Sequence, residues 1–247
     1  HRDLHSFPTR RSSDLQAIVL RAMALLDAPN GFVYLYDAAA EELKLVIDLG
    51  EYANTEIRLK MGEGLAGQVA QTHEPMLLDD YSAWEGRAAV YESTPYHAVI
   101  EVPMLFDGQL IGVLGVNETG HQNRKFTYAD ARTLSTFAGQ AATAVYNARL
   151  LGSIQRELAE RKKAEAVQAA LYRISEATQT AGSLDELYSL IHAVVQGLMP
   201  ARNFYLALLD AAGSLLHFPY YVDEFDARPA PHVLGNGLTE YVLRTGN

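Results

Sequence analysis

Met61–Glu74 reads MGEGLAGQVAQTHE, and the same pattern returns 173 positions later as LGNGLTEYVLRTGN over Leu234–Asn247. Gly62 aligns with Gly235, Gly64 with Gly237, Leu65 with Leu238, Val69 with Val242 and Thr72 with Thr245. The same offset pairs Asp37 with Asp210, each closing an apolar run, FVYLYD and YLALLD. Agreement in two separate stretches at one long offset means duplicated domains, because solenoid repeats have periods of roughly 20–50 residues.

Outward from the first block, Ala17 to Leu26 has helical spacing, and Pro29-Asn30-Gly31 punctuates before a β-rich run from Phe32 to Tyr36. A turn over Asp37 to Glu41 leads to LKLVIDLG, which predicts an antiparallel hairpin. Gly62 and Gly64 open a helix from Leu65 to about Gln71. MLLDD, HAVIEVPML and QLIGVLGV read as three further strands, the last two joined by a turn at Phe106-Asp107-Gly108. Thr127 to Ala148 has helix composition, with Thr127 placed to cap and Asp130 three residues on.

The helical pattern then continues without proline. Leu151, Ile154 and Leu158 keep three-four spacing, Arg161, Lys162 and Lys163 interrupt it, and Val167, Leu171 and Ile174 resume in another phase. A solvated linker helix accounts for this, and so does a parallel coiled coil with a phase break; Glu157 and Arg161 are spaced for an i,i+4 pair. The second copy opens on SLDELYSLIHAVVQGLM, an amphipathic helix with Ser183 as N-cap and Glu186 three residues on. It continues through a first strand, a second around LLHFPYYV and the Gly-rich helix start.

The 247 residues are 49% hydrophobic with a formal net charge of −10. That composition supports one large or two ordinary domains, and the negative field repels phosphate backbones, so no nucleic-acid partner is expected. With no cysteine in the chain, disulfides, thiolate nucleophiles and zinc–thiolate sites are excluded. No run approaches the roughly 18 apolar residues of a membrane span, and no secretory signal is present; a cytoplasmic location is expected.

His1-Arg2-Asp3-Leu4 reads like a protein-kinase catalytic loop. Such a loop needs Asn five residues after its Asp to hold magnesium, and that position is Pro8. HRDLHSFPTRRSSDL matches, letter for letter, one reading frame of a widely used sequencing adapter. Residues 1–15 are therefore expected to be non-native, functionless and disordered, with the natural segment cut at Gln16 and again near Asn247.

GEGLAGQVAQT, DDYSAWEGRA, VIEVPMLFDGQLIGVLGV and RKFTYADARTLSTFAGQAATAVYNARLL, in that order, resemble a GAF domain over residues 16–150. ALYRISEATQTAGSLDELYSLIHAVV, FPYYVDEFDARP and GNGLTEYVLRTGN resemble the first half of another. The resemblance implies an α+β fold with a central antiparallel sheet flanked by helices, then a linker helix over 151–180 and a truncated second GAF domain over 181–247. It also implies a pocket for a small molecule between the sheet and its covering helices. Tandem GAF domains are typical of bacterial sensory proteins, upstream of histidine kinase or diguanylate cyclase modules.

Within that family, cysteine-held bilin chromophores and cysteine-dependent methionine-sulfoxide reductase chemistry both require a thiol, so no cysteine-linked chromophore is expected here. Cyclic-nucleotide-binding members show Asn-Lys and then Phe-x-x-x-Asp-Glu. Here Asn117 is followed by Glu118, and Phe126 leads to Asp130 and Ala131, so the Lys and the Glu are replaced. His73 and His97 are conceivable iron or haem ligands, but scattered histidines are more often ordinary surface or core residues. Gly62-x-Gly64 at a helix start is compatible with a phosphate cradle and with a simple strand-to-helix turn.

The resemblance places a pocket lid at Asp79, Asp80, Tyr81, Trp84 and Arg87, a segment also readable as a solvated loop with one packed Trp. Tyr96, His97 and Glu101 lead into or lie on the next strand, and Asn117 ends the one after; these nine are the candidate ligand-pocket residues. Glu101, with an apolar neighbour on each side, would carry a raised pKa if it faced a pocket and would mean nothing if it faced solvent. The expected function is a non-catalytic sensing region that binds an unknown small molecule, forms a homodimer through the linker helix and acts on an output module. The alternatives are a ligand-free dimerisation module, the regulatory part of a transcription factor or phosphatase, or an enzyme using Asp79 and Asp80. For the last, no nucleophile–base set or metal-ligand spacing is present.

Overall fold

A computed structural model describes residues 9–50, 57–119 and 124–246, and the chain divides into two compact units, His1–Ile154 and Gln155–Asn247. The first contains α1 (Thr9–Leu26), β1 (Asn30–Asp37), β2 (Glu42–Leu49), β3 (Arg58–Lys60), α2 (Gly64–Thr72), β4 (Met76–Leu78), a 3-10 turn (Ala89–Tyr91), β5 (Val99–Phe106), β6 (Gln109–Asn117) and the start of α3 (Tyr128–Thr180). Its six strands form one sheet in the order β3-β2-β1-β6-β5-β4, every neighbouring pair antiparallel.

Local chemistry sets the turns. Asp107 and Gly108 have φ of 49° and 75° between paired Phe106 and Gln109, the double left-handed geometry that fits the twist of a tight hairpin. Thr127 and Asp130 bond reciprocally: the Asp130 carboxylate accepts from the Thr127 N–H at 2.7 Å, and the Thr127 hydroxyl accepts from the Asp130 N–H at 3.3 Å. This capping box starts α3 where its spacing predicts. β3 escapes sequence reading because a three-residue edge strand buries one side chain, Leu59, which is too little for a periodic signal.

The sheet is covered on both faces. On one, Val33, Leu35, Ile100, Val102, Leu114 and Val116 pack with Val19 and Ala22 of α1 and with Leu134, Ala138 and Ala141 of α3. On the other, Phe32, Tyr34, Leu43, Leu45, Val99 and Val113 pack with Leu65, Ala66 and Val69 of α2 and with Tyr81, Ala88 and Tyr96 from the segment between β4 and β5.

Two expectations need correction. Residues 9–15 are helical, not disordered: α1 begins at Thr9, and Leu15 is buried in the core. Leu15, Val19, Ala22 and Leu26 fall on one helical face and are all buried, so burial of that stripe carries the helix back past Gln16; residues 1–8, and with them the His1–Leu4 motif, lie outside the described residues. The 151–180 linker is part of α3. α3 runs 53 residues without a break, from the closing helix of the first unit through 151–180. Along it Arg161 pairs with Glu165 at 2.9 Å rather than with Glu157, an exposed contact worth a few tenths of a kcal/mol.

The second unit holds the rest of α3, α4 (Leu184–Leu198), β7 (Phe204–Leu209), β8 (Leu215–Val222), β9 (His232–Val233) and α5 (Leu238–Thr245). The sequence offset reappears as a structural one. Val33↔Ile47, Leu35↔Lys44 and Tyr36↔Leu43 in the β1–β2 ladder correspond to Leu206↔Tyr220, Leu208↔His217 and Leu209↔Leu216 in β7–β8, with the register shift at the equivalent place. His73 and Gly246 are equivalent left-handed C-caps of α2 and α5, at φ of 60° and 72°; Asn247 lies outside the described residues. Among the described residues β7 pairs only with β8, whereas its counterpart β1 has β2 on one side and β6 on the other.

An unpaired edge bearing exposed Tyr205, Leu208 and Leu209 destabilises a three-stranded sheet and invites edge pairing. Under limited proteolysis of the whole chain, cleavage is expected first within 200–246, with the first unit persisting as a resistant fragment. Equal survival of both units would contradict this.

Candidate functional site

The site lies in the first unit on the α2-side face of the sheet. Phe32 and Tyr34, two apart on β1, project to that face, and β2 contributes Leu45 and Asp48. β5 adds Val99 and Glu101, Asn117 closes one end from β6, and Tyr81, Tyr91 and Tyr96 cover the opening from the segment between β4 and β5. Together they enclose a cavity with about 20 Å³ of space for the centre of a water-sized group, room for about one such group.

Glu101 is its distinctive feature. Its strand neighbours Ile100 and Val102 face the other core, so Glu101 takes an inward position that alternation reserves for an apolar side chain. It is 5% exposed, and its Oε2 has no hydrogen-bond partner. Burial pushes its pKa up from 4.5 to about 8, which makes it a neutral acid at pH 7. Gly115 on β6 lies opposite both Phe32 and Glu101. A Cβ there would enter the Phe32 ring and stand 3.0 Å from the Glu101 Cγ, so this glycine makes the space both side chains occupy.

The rings form one connected cluster. Tyr81 and Tyr96 lie 6.3 Å apart, Tyr91 and Tyr96 5.8 Å, and Phe32 and Tyr34 5.9 Å edge-on. The Tyr34 and Tyr91 hydroxyls bond to each other, which ties the 3-10 turn to β1. Burial raises the phenol pKa of Tyr34, Tyr81 and Tyr91, so all three stay protonated across the ordinary pH range. Asn117 accepts a hydrogen bond from the Asn30 amide at 2.8 Å, which fixes its orientation at the cavity end.

Of the nine candidate residues, Tyr81, Tyr96, Glu101 and Asn117 line the cavity. Trp84 stands behind Tyr81 with ring centroids 5.9 Å apart. Arg87 is half-buried outside the lining. Asp79 is exposed and pairs with Lys125. Asp80 is exposed and caps its own turn, accepting from the Ser82 hydroxyl and N–H and from the Ala83 N–H; these bonds, the Ser82 side chain first, lower its pKa. His97 is half-buried, and its backbone bridges Tyr81 and Glu118.

Other readings of the sequence resolve here too. His73 is the exposed C-cap of α2, and among the described residues no three His, Asp or Glu side chains gather to hold a metal. Gly62-x-Gly64 is a strand-to-helix turn: the Gly62 N–H donates to the Gly67 carbonyl, the Glu63 carboxylate accepts from the Lys60 backbone N–H, and the two glycines have φ of 81° and 62°. Phe32, Tyr34, Asp48 and Tyr91 were not singled out from sequence, although FVYLYD, with aromatics at alternate positions, carried the signal for the first two.

The fold is an antiparallel sheet covered on both faces, with a small cavity on its α2 side. The GAF domain family model matches residues 9–145, and the chain belongs to that family; GAF domains are signalling and sensing domains. A probable 3',5'-cyclic phosphodiesterase of Caenorhabditis elegans is 27% identical over 160 residues, 58% of this chain, which spans 22% of that protein's length. Among solved structures, the GAF domain of a phosphoenolpyruvate-protein phosphotransferase from Coxiella burnetii superposes at a TM-score of 0.50 and 22% identity, covering 58% of this chain and 93% of that one. A free methionine-R-sulfoxide reductase from Neisseria meningitidis, solved with its substrate, gives a TM-score of 0.50 and 23% identity, covering 57% and 81%. These two likenesses are of fold. No helix among the described residues is long and apolar enough to cross a membrane.

Proposed function

We propose that the first unit is a ligand sensor whose cavity takes a small molecule, and that α3 carries the resulting change toward an output module, a histidine kinase first and a diguanylate cyclase next. The observation that carries this reading is the small aromatic cavity holding a buried carboxyl with an unpartnered oxygen. Native interiors rarely leave such a group unmatched unless it has work to do. The second unit is read as the first half of another GAF domain, supported by the repeated strand register, and residues 1–15 as translated adapter. The location proposed is cytoplasmic.

The reading includes a homodimer through α3. Leu151, Ile154 and Leu158 are each about half exposed along one stripe of this helix, and Leu171 is 63% exposed; apolar residues at that spacing are what a partner helix covers. Replacing Ile154 and Leu158 together by glutamate should halve the mass seen in sedimentation equilibrium. An unchanged mass would remove this helix from the interface.

Ligand binding shifts a conformational equilibrium only by its differential affinity for the two states. A thermal-shift screen of the 247-residue chain against amines, amino acids, nucleotides and carboxylic acids tests the sensing role. At least one compound should raise the melting temperature and perturb the fluorescence of Trp84, the chain's single tryptophan. A screen with no such compound would favour a ligand-free module.

A further inference from the structure

The cavity's charge balance is one-sided. Among the described residues its lining includes two carboxylic acids, Glu101 and Asp48, four tyrosines and a phenylalanine, and no lysine, arginine or histidine. A buried carboxyl without a cationic partner either keeps its proton or receives a cation from outside, because an unpaired buried charge is costly. Aromatic faces are electron-rich, and several around one point attract a cation while offering little to an anion.

We infer that the cavity of the first unit is a site for a small organic cation, with the Glu101 carboxylate as its counter-charge and the rings of Phe32, Tyr34, Tyr81, Tyr91 and Tyr96 as its walls. This rests on the ligand-binding reading above and names its ligand class: an ammonium or amidinium group. Space for about one water-sized centre suits a compact cationic head. Asp48 and Tyr91 are only half-buried, while Phe32, Tyr34, Tyr81, Tyr96 and Glu101 are buried, so substituents on the head would leave past Asp48, whose carboxylate adds a second negative charge.

The pairing has a proton balance. Among the described residues, the titratable groups that line the cavity with Glu101 are Tyr34 from β1, Asp48 from β2, and Tyr81, Tyr91 and Tyr96 from the covering segment. Burial holds the phenols of Tyr34, Tyr81 and Tyr91 protonated. Glu101 retains its own proton up to about pH 8, so below that pH each cation bound displaces one proton to solvent. Affinity should therefore rise about tenfold from pH 6 to 7, about fivefold from pH 7 to 8, and level off above about pH 9. A neutral ligand that accepts a hydrogen bond from the protonated acid would show the reverse, weakening above pH 8.

Acetamidinium, acetamide and acetate have one shape and three charges, and Trp84 behind Tyr81 reports on the cavity. Titrating the full chain with each at pH 6, 7, 8 and 9 should show acetamidinium binding about fiftyfold tighter at pH 8 than at pH 6. Acetamide and acetate should bind at least tenfold more weakly at pH 8. Glu101→Gln should weaken acetamidinium at least tenfold at pH 8 and abolish its pH dependence while the variant remains folded. Acetamide or acetate binding as tightly as acetamidinium, no measurable binding of acetamidinium, or binding indifferent to Glu101→Gln would each overturn the cation assignment. Should acetamide or acetate bind, or a non-cationic compound score in the thermal-shift screen, the sensing role survives without it. Silence in both experiments removes both.

Discussion

Replacing Glu101 by glutamine should leave stability near pH 4 almost unchanged and raise it by on the order of 5 kcal/mol at pH 9 relative to the parent chain. The folded-state pKa of this carboxyl is raised, from 4.5 to about 8. Between those values the folded chain holds a proton that the unfolded chain has lost, so its contribution to stability falls as pH rises, by about 1.4 kcal/mol per unit. Above the folded pKa the penalty is complete and constant. Glutamine has nearly the same shape and no charge to bury, so the difference between the two chains isolates this one group. Urea denaturation of both at pH 4, 6 and 9 measures it, and a stability difference that does not grow with pH would show that Glu101 is not buried as described.

Gly112→Ala should cost about 3 kcal/mol. Gly112 sits on β6 between Leu35 of β1 and Met104 of β5, beside the register shift at Met104 and Leu105. A Cβ there would fall far inside contact distance of the Tyr34 carbonyl oxygen and 3.1 Å from its carbon. Those are backbone atoms of a central strand, which cannot swing aside as a side chain can. Gly139→Ala is the natural comparison: it lies on exposed α3 surface with no neighbour within 4 Å, and should gain up to about 1 kcal/mol from helix propensity. Denaturation midpoints that order the two variants the other way would place β6 wrongly in the sheet.

The fold was largely legible because its signals are local or repetitive. FVYLYD, the Asp107-Gly108 turn and the Thr127–Asp130 box each encode their element within a few residues, and the repeat at Gly62 and Gly235 shares its offset of 173 with the β1–β2 and β7–β8 registers. β3 was not legible because Leu59 is its only buried side chain, and the start of α1 was hidden by reading residues 1–15 for their origin instead of their helical face. At the site, Glu101 was noticed because an acid between two apolar residues breaks the strand pattern. Tyr91, by contrast, joins through a hydroxyl contact with Tyr34, 57 positions away, which no spacing rule connects. Asp79 and Asp80 belong to the segment where the family resemblance places a pocket lid, yet their side chains turn to Lys125 and to Ser82.

The central claim is that a ligand in this cavity changes the helix leaving the unit. Hydrogen–deuterium exchange of the whole chain, with and without the compound giving the largest thermal shift, tests it directly. The account predicts slower exchange over residues 81–101 together with altered exchange over 150–165 of α3. Protection confined to 81–101, with α3 unchanged, would contradict it.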